Sequence, residues 1–138
     1  MSTRFDTKIA VLLRDDLLTW QRLNVTAFLI SGLAGAAPHL LGERYADRDG
    51  TDYLPMFGQP VMVFAGDAAL LKTAHERALS RGVTLAIFTE ELFKTGHDAA
   101  NREAVAAVRR DDLNLVGIGL HAPRNAVDKI VKGASLHG

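Results

Sequence analysis

Residues 61–88 read VMVFAGDAALLKTAHERALSRGVTLAIF, and this stretch decides the fold class. Val61-Met62-Val63-Phe64-Ala65 is an unbroken apolar run of strand length, the pattern of a strand buried on both faces of a sheet. Gly66-Asp67 turns the chain into a helix with Asp67 as its N-cap. Leu70, Leu71, Ala74 and Ala78 make the inner face of that helix, Lys72 and Glu76 stand i,i+4 outside it, and Gly82 supplies the stop. Val83-Thr84-Leu85-Ala86-Ile87-Phe88 forms the next strand. A strand, a helix and a strand in so few residues make a βαβ crossover, which implies a sheet with helices packed on it.

The flanking sequence extends the same pattern. Lys8-Ile9-Ala10-Val11-Leu12-Leu13-Arg14 is a buried strand between charges, ended by Asp15-Asp16. Thr19 is the expected N-cap of a helix of about 17 residues, with Trp20, Leu23, Ala27, Ile30 and Ala34 at helical spacing. From Val25 onward this helix is apolar nearly all round, so cover on more than one side is expected. Ser31, Gly32, Gly35 and Ala36 give it small surfaces for close packing on the sheet or on a second copy. Residues 37–59 are the least regular region, with Gly42, Pro55, Gly58 and Pro60 disfavouring regular structure. In the Asp47-Arg48-Asp49-Gly50-Thr51-Asp52 segment the glycine is fourth rather than sixth, so a polar turn is expected and not a calcium loop.

Beyond Phe88, the polar run after Thr89 leads to a helix from Asp98 to Arg110, with Ala104, Val105 and Val108 inward. Leu113 to Leu120 reads as a fourth strand, and Arg124 to Lys132 as a closing helix. The whole predicts one domain over residues 1–138, an α/β/α sandwich of three layers on one four-stranded sheet.

Composition excludes several classes. The chain has 138 residues, 16 Lys+Arg against 16 Asp+Glu, 48% hydrophobic residues and no cysteine. It therefore has no disulfide scaffold, no Cys-ligated metal and no thiol nucleophile, and formal neutrality disfavours nucleic-acid binding through bulk charge. Met1-Ser2-Thr3-Arg4-Phe5-Asp6 has no apolar segment ahead of its first charges, and the weakly polar run Val25 to Pro38 falls short of the 18 or so residues a span needs. A cytoplasmic protein that does not enter the membrane is the expectation.

The motifs are sparse. Gly117-Ile118-Gly119-Leu120-His121-Ala122 fits G-x-G-x-x-A, but it begins inside the last strand, so close packing of a neighbour accounts for its glycines better than a dinucleotide does. No two of the five histidines stand at metal-ligand spacing, and nothing implies a metal or cofactor. His75 reads as a surface or boundary residue. Asp98 is expected to cap the following helix, leaving His97 freer for acid–base work. If the strands ending at Arg14 and Phe88 are parallel neighbours, Asp15, Asp16, Glu90 and Glu91 crowd one sheet edge beside Thr19, Asn24 and Thr89. They then form a proton acceptor or cation site, or are simply solvated loop charges and caps.

Gly117-Ile118-Gly119-Leu120-His121-Ala122-Pro123-Arg124-Asn125-Ala126-Val127-Asp128-Lys129-Ile130-Val131-Lys132-Gly133 resembles the ending of type 2 peptidyl-tRNA hydrolases, which close with a strand, an Ala-Pro turn and a helix carrying an apolar-Asp-Lys-apolar signature. The opening, a Lys-led apolar strand followed by Arg14-x-Asp16-Leu17, is similar too. Leu23-Asn24-Val25-Thr26-Ala27-Phe28-Leu29 and Pro123-Arg124-Asn125-Ala126-Val127 together resemble an uncharacterised bacterial family in that superfamily. The resemblance implies a mixed four-stranded sheet and a homodimer.

The chain departs from the hydrolases at their active positions. Thr19-Trp20-Gln21-Arg22-Leu23-Asn24 stands where they have a Gly/Lys-rich segment, with Asn24 nearest the catalytic Lys position. Thr89-Glu90-Glu91-Leu92-Phe93 stands where they have Asp-Ala-Gly-x-Thr. Losing a cation and gaining carboxylates disfavours a tRNA backbone. The resulting expectation is a non-catalytic homo-oligomer that binds an unknown small ligand or a protein, with Asp16, Trp20 and Thr89 as ligand contacts. The alternative is a hydrolase of aminoacyl or peptidyl esters such as peptidyl-tRNA. In it Glu90 or His97 acts as general base, and Asn24 with Thr89 binds the oxyanion.

Overall fold

Ile9, Ala10, Val11 and Leu12 have no exposed surface, so strand β1 (Thr7–Arg14) runs through the centre of the molecule. A computed structural model provides the fold and describes residues 5–137; residues 1–4 of the amino-terminal segment read above lie outside the described residues. After β1 come α1 (Thr19–Ala36), a short hairpin of β2 (Tyr45–Ala46) and β3 (Asp52–Tyr53), then β4 (Val61–Gly66) and α2 (Ala68–Ser80). β5 (Ala86–Thr89), α3 (Asp98–Ala106), β6 (Leu115–Pro123), α4 (Arg124–Ile130) and β7 (Ser135–Leu136) follow.

The main sheet has the order β5-β6-β1-β4-β7. β1 and β4 are parallel, whereas β6 is antiparallel to both β1 and β5, so the sheet is mixed. Its two faces are covered separately. Ala10, Leu12, Ile118 and Leu120 pack with Leu71, Ala74 and Ala78 of α2 and with Val127 and Ile130 of α4. Val11, Leu13 and Val116 pack on the other face with Val25 and Leu29 of α1. The α/β class and the helix-covered sheet therefore follow from the apolar runs as expected.

Several expectations need correction. The sheet has five strands rather than four, because Gly133, at φ +102°, turns the chain back and Ser135-Leu136 pair with Ala65 and Phe64. The strands ending at Arg14 and Thr89 are not neighbours. β6 lies between them, so the β4–α2–β5 crossover spans two strands. α1 buries Val25, Leu29 and Leu33, an i,i+4 row beside the one read at helical spacing, of which Trp20 and Leu23 are exposed. Its N-cap is Leu18, whose N–H donates to Gln21 Oε1 at 2.9 Å, and Thr19 is already helical. His75 is buried on the inner side of α2. α3 ends at Ala106 rather than Arg110, and β6 runs on to Pro123 because it stays paired with β1 as far as Thr7.

Two glycines explain how α1 sits so close. A Cβ on Gly117 would lie 2.6 Å from Val25 Cγ1, and one on Gly119 would lie 3.1 Å from Leu29 Cβ. The register slips between Phe88 and Thr89, which brings Val116 to the α1 side and sends Leu115 to the opposite face.

Residues 37–59 are more regular than expected. Pro38–Leu40 form one 3-10 turn, and the chain then pairs with itself as an arm. Gly42 N–H donates to the Met56 carbonyl, Gly58 N–H to the Leu40 carbonyl, and Tyr45 pairs with Tyr53. The tip is the expected polar turn. Asp47 Oδ1 accepts from the N–H groups of Asp49 and Thr51, and Tyr53 Oη donates to Asp47 Oδ2 at 2.6 Å.

Candidate ligand-binding cleft

At the amino-terminal end of α1, the helix, β5 and α3 enclose a cleft of about 330 Å³. Its walls are aromatic. Trp20 meets Phe93 edge-on at 5.7 Å between ring centroids, Phe28 lies 5.8 Å from Phe88, and Phe88 lies 5.1 Å from Phe93. Trp20 and Phe28 belong to α1 and are more than half exposed, so their faces are open to an occupant. Rings at these distances pack on one another, and the exposed faces of Trp20 and Phe28 leave apolar surface on which a guest can be buried or stacked. A second hollow of about 440 Å³ continues between α1 and α3, bordered again by Phe28, Phe88 and Leu92.

The polar groups of the cleft come from the loop after β5 and the first turn of α3. His97 is the N-cap of α3: its Nδ1 accepts the Ala100 N–H at 3.2 Å. Asp98, expected in that role, is instead the first helical residue and pairs with Arg102. The cap has a chemical consequence. With Nδ1 as acceptor, the neutral imidazole carries its proton on Nε2, so toward a guest His97 is a donor. Thr95 Oγ1 stands within hydrogen-bonding distance of two acceptors, Asn101 Oδ1 and the Leu92 carbonyl, and its single proton serves one or the other. Asn24 also lines the cleft, and its carboxamide has no protein partner among the described residues.

Glu90, Asp16 and Thr89 lie elsewhere. Arg14, at the end of β1, gathers the first two: its Nε donates to Asp16 Oδ1 at 2.5 Å, and its Nη1 stands 3.4 Å from Glu90 Oε2. Asn114 Nδ2 also donates to Glu90 Oε2, at 2.7 Å, and Asn114 Oδ1 accepts from Arg14. Burial acts to lower the Arg14 pKa, but hydrogen bonding and charge attraction from Asp16, with Glu90 behind it, outweigh that and raise it. Of the carboxylates read either as a crowded site or as solvated loop charges, Asp16 and Glu90 are thus held in an arginine-centred network that spans β6. No group of three His, Asp or Glu side chains able to hold a metal ion occurs among the described residues. Thr89 is 2% exposed and does not line the cleft.

Comparison with known proteins places the chain in a family. A family model described as a protein of unknown function, DUF2000, matches residues 7–138. The chain belongs to the DUF2000 family. A solved structure of a protein of unknown function from Agrobacterium tumefaciens strain C58 is 50% identical, with a TM-score of 0.96 over 98% of this chain and 100% of that one. No curated protein matches.

In this DUF2000 chain, Trp20, Asn24 and His97 are the sequence-derived candidates that share the cleft. Sequence reasoning passed over Phe28, Phe88, Phe93, Thr95 and Asn101. Asn101 carried a signal, because it stands four residues after His97 and so shares its side of the helix. The aromatic residues carried none singly, since Phe88 read as a buried strand residue and Phe93 as part of a polar connection. Arg14 was legible as the charged end of a strand and as part of Arg14-x-Asp16-Leu17, but not as the partner of Glu90.

Proposed function

We propose that this protein is a non-catalytic, homo-oligomeric binding domain whose cleft between α1 and α3 takes a small, planar, uncharged aromatic or heteroaromatic ligand. The observation that carries this reading is the His97 cap. A general base needs a free lone pair, and the lone pair of His97 is engaged by the Ala100 N–H. Glu90 is likewise held by Arg14 and Asn114, outside the cleft lining. Hydrogen-bonding groups without an unengaged base favour recognition over hydrolysis, and the aromatic walls supply the apolar surface that binding needs.

The cleft lining includes Asp98 but no Lys or Arg, which argues against a phosphate backbone as guest. We further propose kinship with the type 2 peptidyl-tRNA hydrolase-like superfamily. It is supported by the closing Ala122-Pro123 turn and the Asp128-Lys129 helix, and by a mixed, helix-covered sheet. A cytoplasmic setting accords with the absence of cysteine and with no helix, among the described residues, long and apolar enough to cross a membrane.

Thermal-shift measurements with nucleobases, nicotinamide and indole test the reading. A ligand at a hundredfold its dissociation constant stabilises by about 2.7 kcal/mol, a rise of several degrees in Tm. The rise is expected to vanish in Trp20→Ala and shrink in Asn24→Ala. Hydrolysis of aminoacyl esters by the purified protein, lost in both Glu90→Gln and His97→Ala, would overturn it in favour of the hydrolase.

A further inference from the structure

Apolar exposure is concentrated on two parts of this chain. Among the described residues eleven large hydrophobic side chains are exposed; four lie at the start of α1 or along it (Leu18, Trp20, Leu23 and Phe28), of which Trp20 and Phe28 line the cleft and Leu23 the opposite flank, and five lie on the arm (Leu41, Tyr45, Tyr53, Leu54 and Met56). Leu54 is 74% exposed and Met56 61%. The arm is ordered by its own ladder of hydrogen bonds rather than by packing on the domain. On the flank of α1 away from the cleft, a groove of about 410 Å³ runs beside β4, lined by Leu13, Arg22, Leu23, Thr26, Ala27 and Val63, with His137 closing it.

We propose that the arm of one copy seats in this α1/β4 groove of a second copy, and the second copy's arm in the first, around a two-fold axis. The inference rests on the homo-oligomer reading above and specifies its contact. Geometry favours a second copy over the chain's own arm. The arm springs from the carboxyl end of α1, whereas Arg22 and Leu23 sit near the amino end. Each limb of the arm is about seven residues, roughly 23 Å when extended, and the 18 residues of α1 span roughly 27 Å. Two copies with antiparallel α1 helices therefore bring each arm to the other's groove.

Size and charge agree. A groove of about 410 Å³ has room for side chains the size of Leu54 and Met56, the two most exposed apolar residues of the arm. The groove's only permanent charge is Arg22, whose guanidinium donates to the Leu17 and Asp15 carbonyls and so adds net positive charge rather than a free donor, and the arm is net negative, with Glu43, Asp47, Asp49 and Asp52 against Arg44 and Arg48. Reciprocal contacts of this kind close on themselves and give a dimer rather than a filament.

A chain without cysteine makes the test clean. Leu23→Cys and Ala27→Cys proteins are each mixed with Leu54→Cys and Met56→Cys proteins and oxidised, and wild-type mass is measured by analytical ultracentrifugation. The expected result is a wild-type dimer and a disulfide-linked species of doubled mass in at least one mixture, exceeding what either single variant gives alone. Leu54→Asp with Met56→Glu, on exposed positions, is expected to yield a folded monomer by circular dichroism and mass. A wild-type dimer with no mixed cross-link in any of the four pairs overturns the arm-in-groove contact and leaves the oligomer reading standing. A wild-type monomer overturns both.

Discussion

At Gly117 the space between helix and sheet closes to less than a methyl group. A Cβ there would stand 2.6 Å from Val25 Cγ1 and 3.1 Å from Leu29 Cδ1, both on the rigid inner row of α1. Gly117→Ala is expected to destabilise the protein by about 1–3 kcal/mol through overpacking, read as a lower urea midpoint with an unchanged m-value. Gly35, on the same helix, has nothing within 4 Å of its missing Cβ. Gly35→Ala should be neutral or gain up to about 1 kcal/mol, since Ala loses less backbone freedom in a helix than Gly. Equal losses at both positions would show that helix approach is not what Gly117 serves. The literal G-x-G-x-x-A string is thus accounted for by packing, which was legible from its place inside a strand. The contact partners were not, because nothing in a sequence says which helix lies over which strand.

Helix α2 carries a titratable group into the core. Burial is the main cause that lowers the His75 pKa, with the nearby Arg110 charge adding to it and Glu76 and Asp111 opposing. The folded value lies below the unfolded 6.5, so as pH falls the unfolded chain takes up the proton first. Stability is complete above about pH 6.5 and declines as pH falls from there toward the lower folded value. His121, lowered by burial and then by the charge of His39, acts with the same sign. Urea unfolding at pH 7.5 and 5.5 should show the loss, and His75→Leu should reduce it; an unchanged slope in that variant would remove His75 as its cause. Periodicity gave α2 almost to the residue, because Asp67 caps it by accepting the Leu70 N–H at 2.8 Å and Gly82 ends it at φ +69°. For α1 the same reasoning did not single out the buried row. Leu23 and Val25 are equally apolar in sequence, and only the sheet beneath decides which is inside. The cap of α3 went the other way for a related reason: imidazole and carboxylate can both accept a backbone N–H, and His97 stands one residue earlier, where the acceptor is needed.

For the molecule as a whole, the apolar runs gave four of the five strands and the class of the fold, but not the order in which strands lie. That order is set by pairing across long sequence distances, with Ile9 opposite His121 and Leu13 opposite Gly117. The candidate site suffered accordingly. Asp16 and Glu90 do meet, yet through Arg14 and across β6 rather than side by side. The insertion of β6 between β1 and β5 also matters while the protein is being made. More than a hundred residues separate β1 from its central partner, so at about 5–20 residues per second a ribosome takes roughly 5–20 s to supply it. Throughout that interval α1, β4 and α2 can join β1, but its β6 edge stays unpaired, a state prone to mispairing and suited to chaperone capture. Stalled chains ending before Leu115 should be cleaved rapidly by protease within residues 7–14, and protection of β1 in such chains would show that the sheet nucleates without its middle.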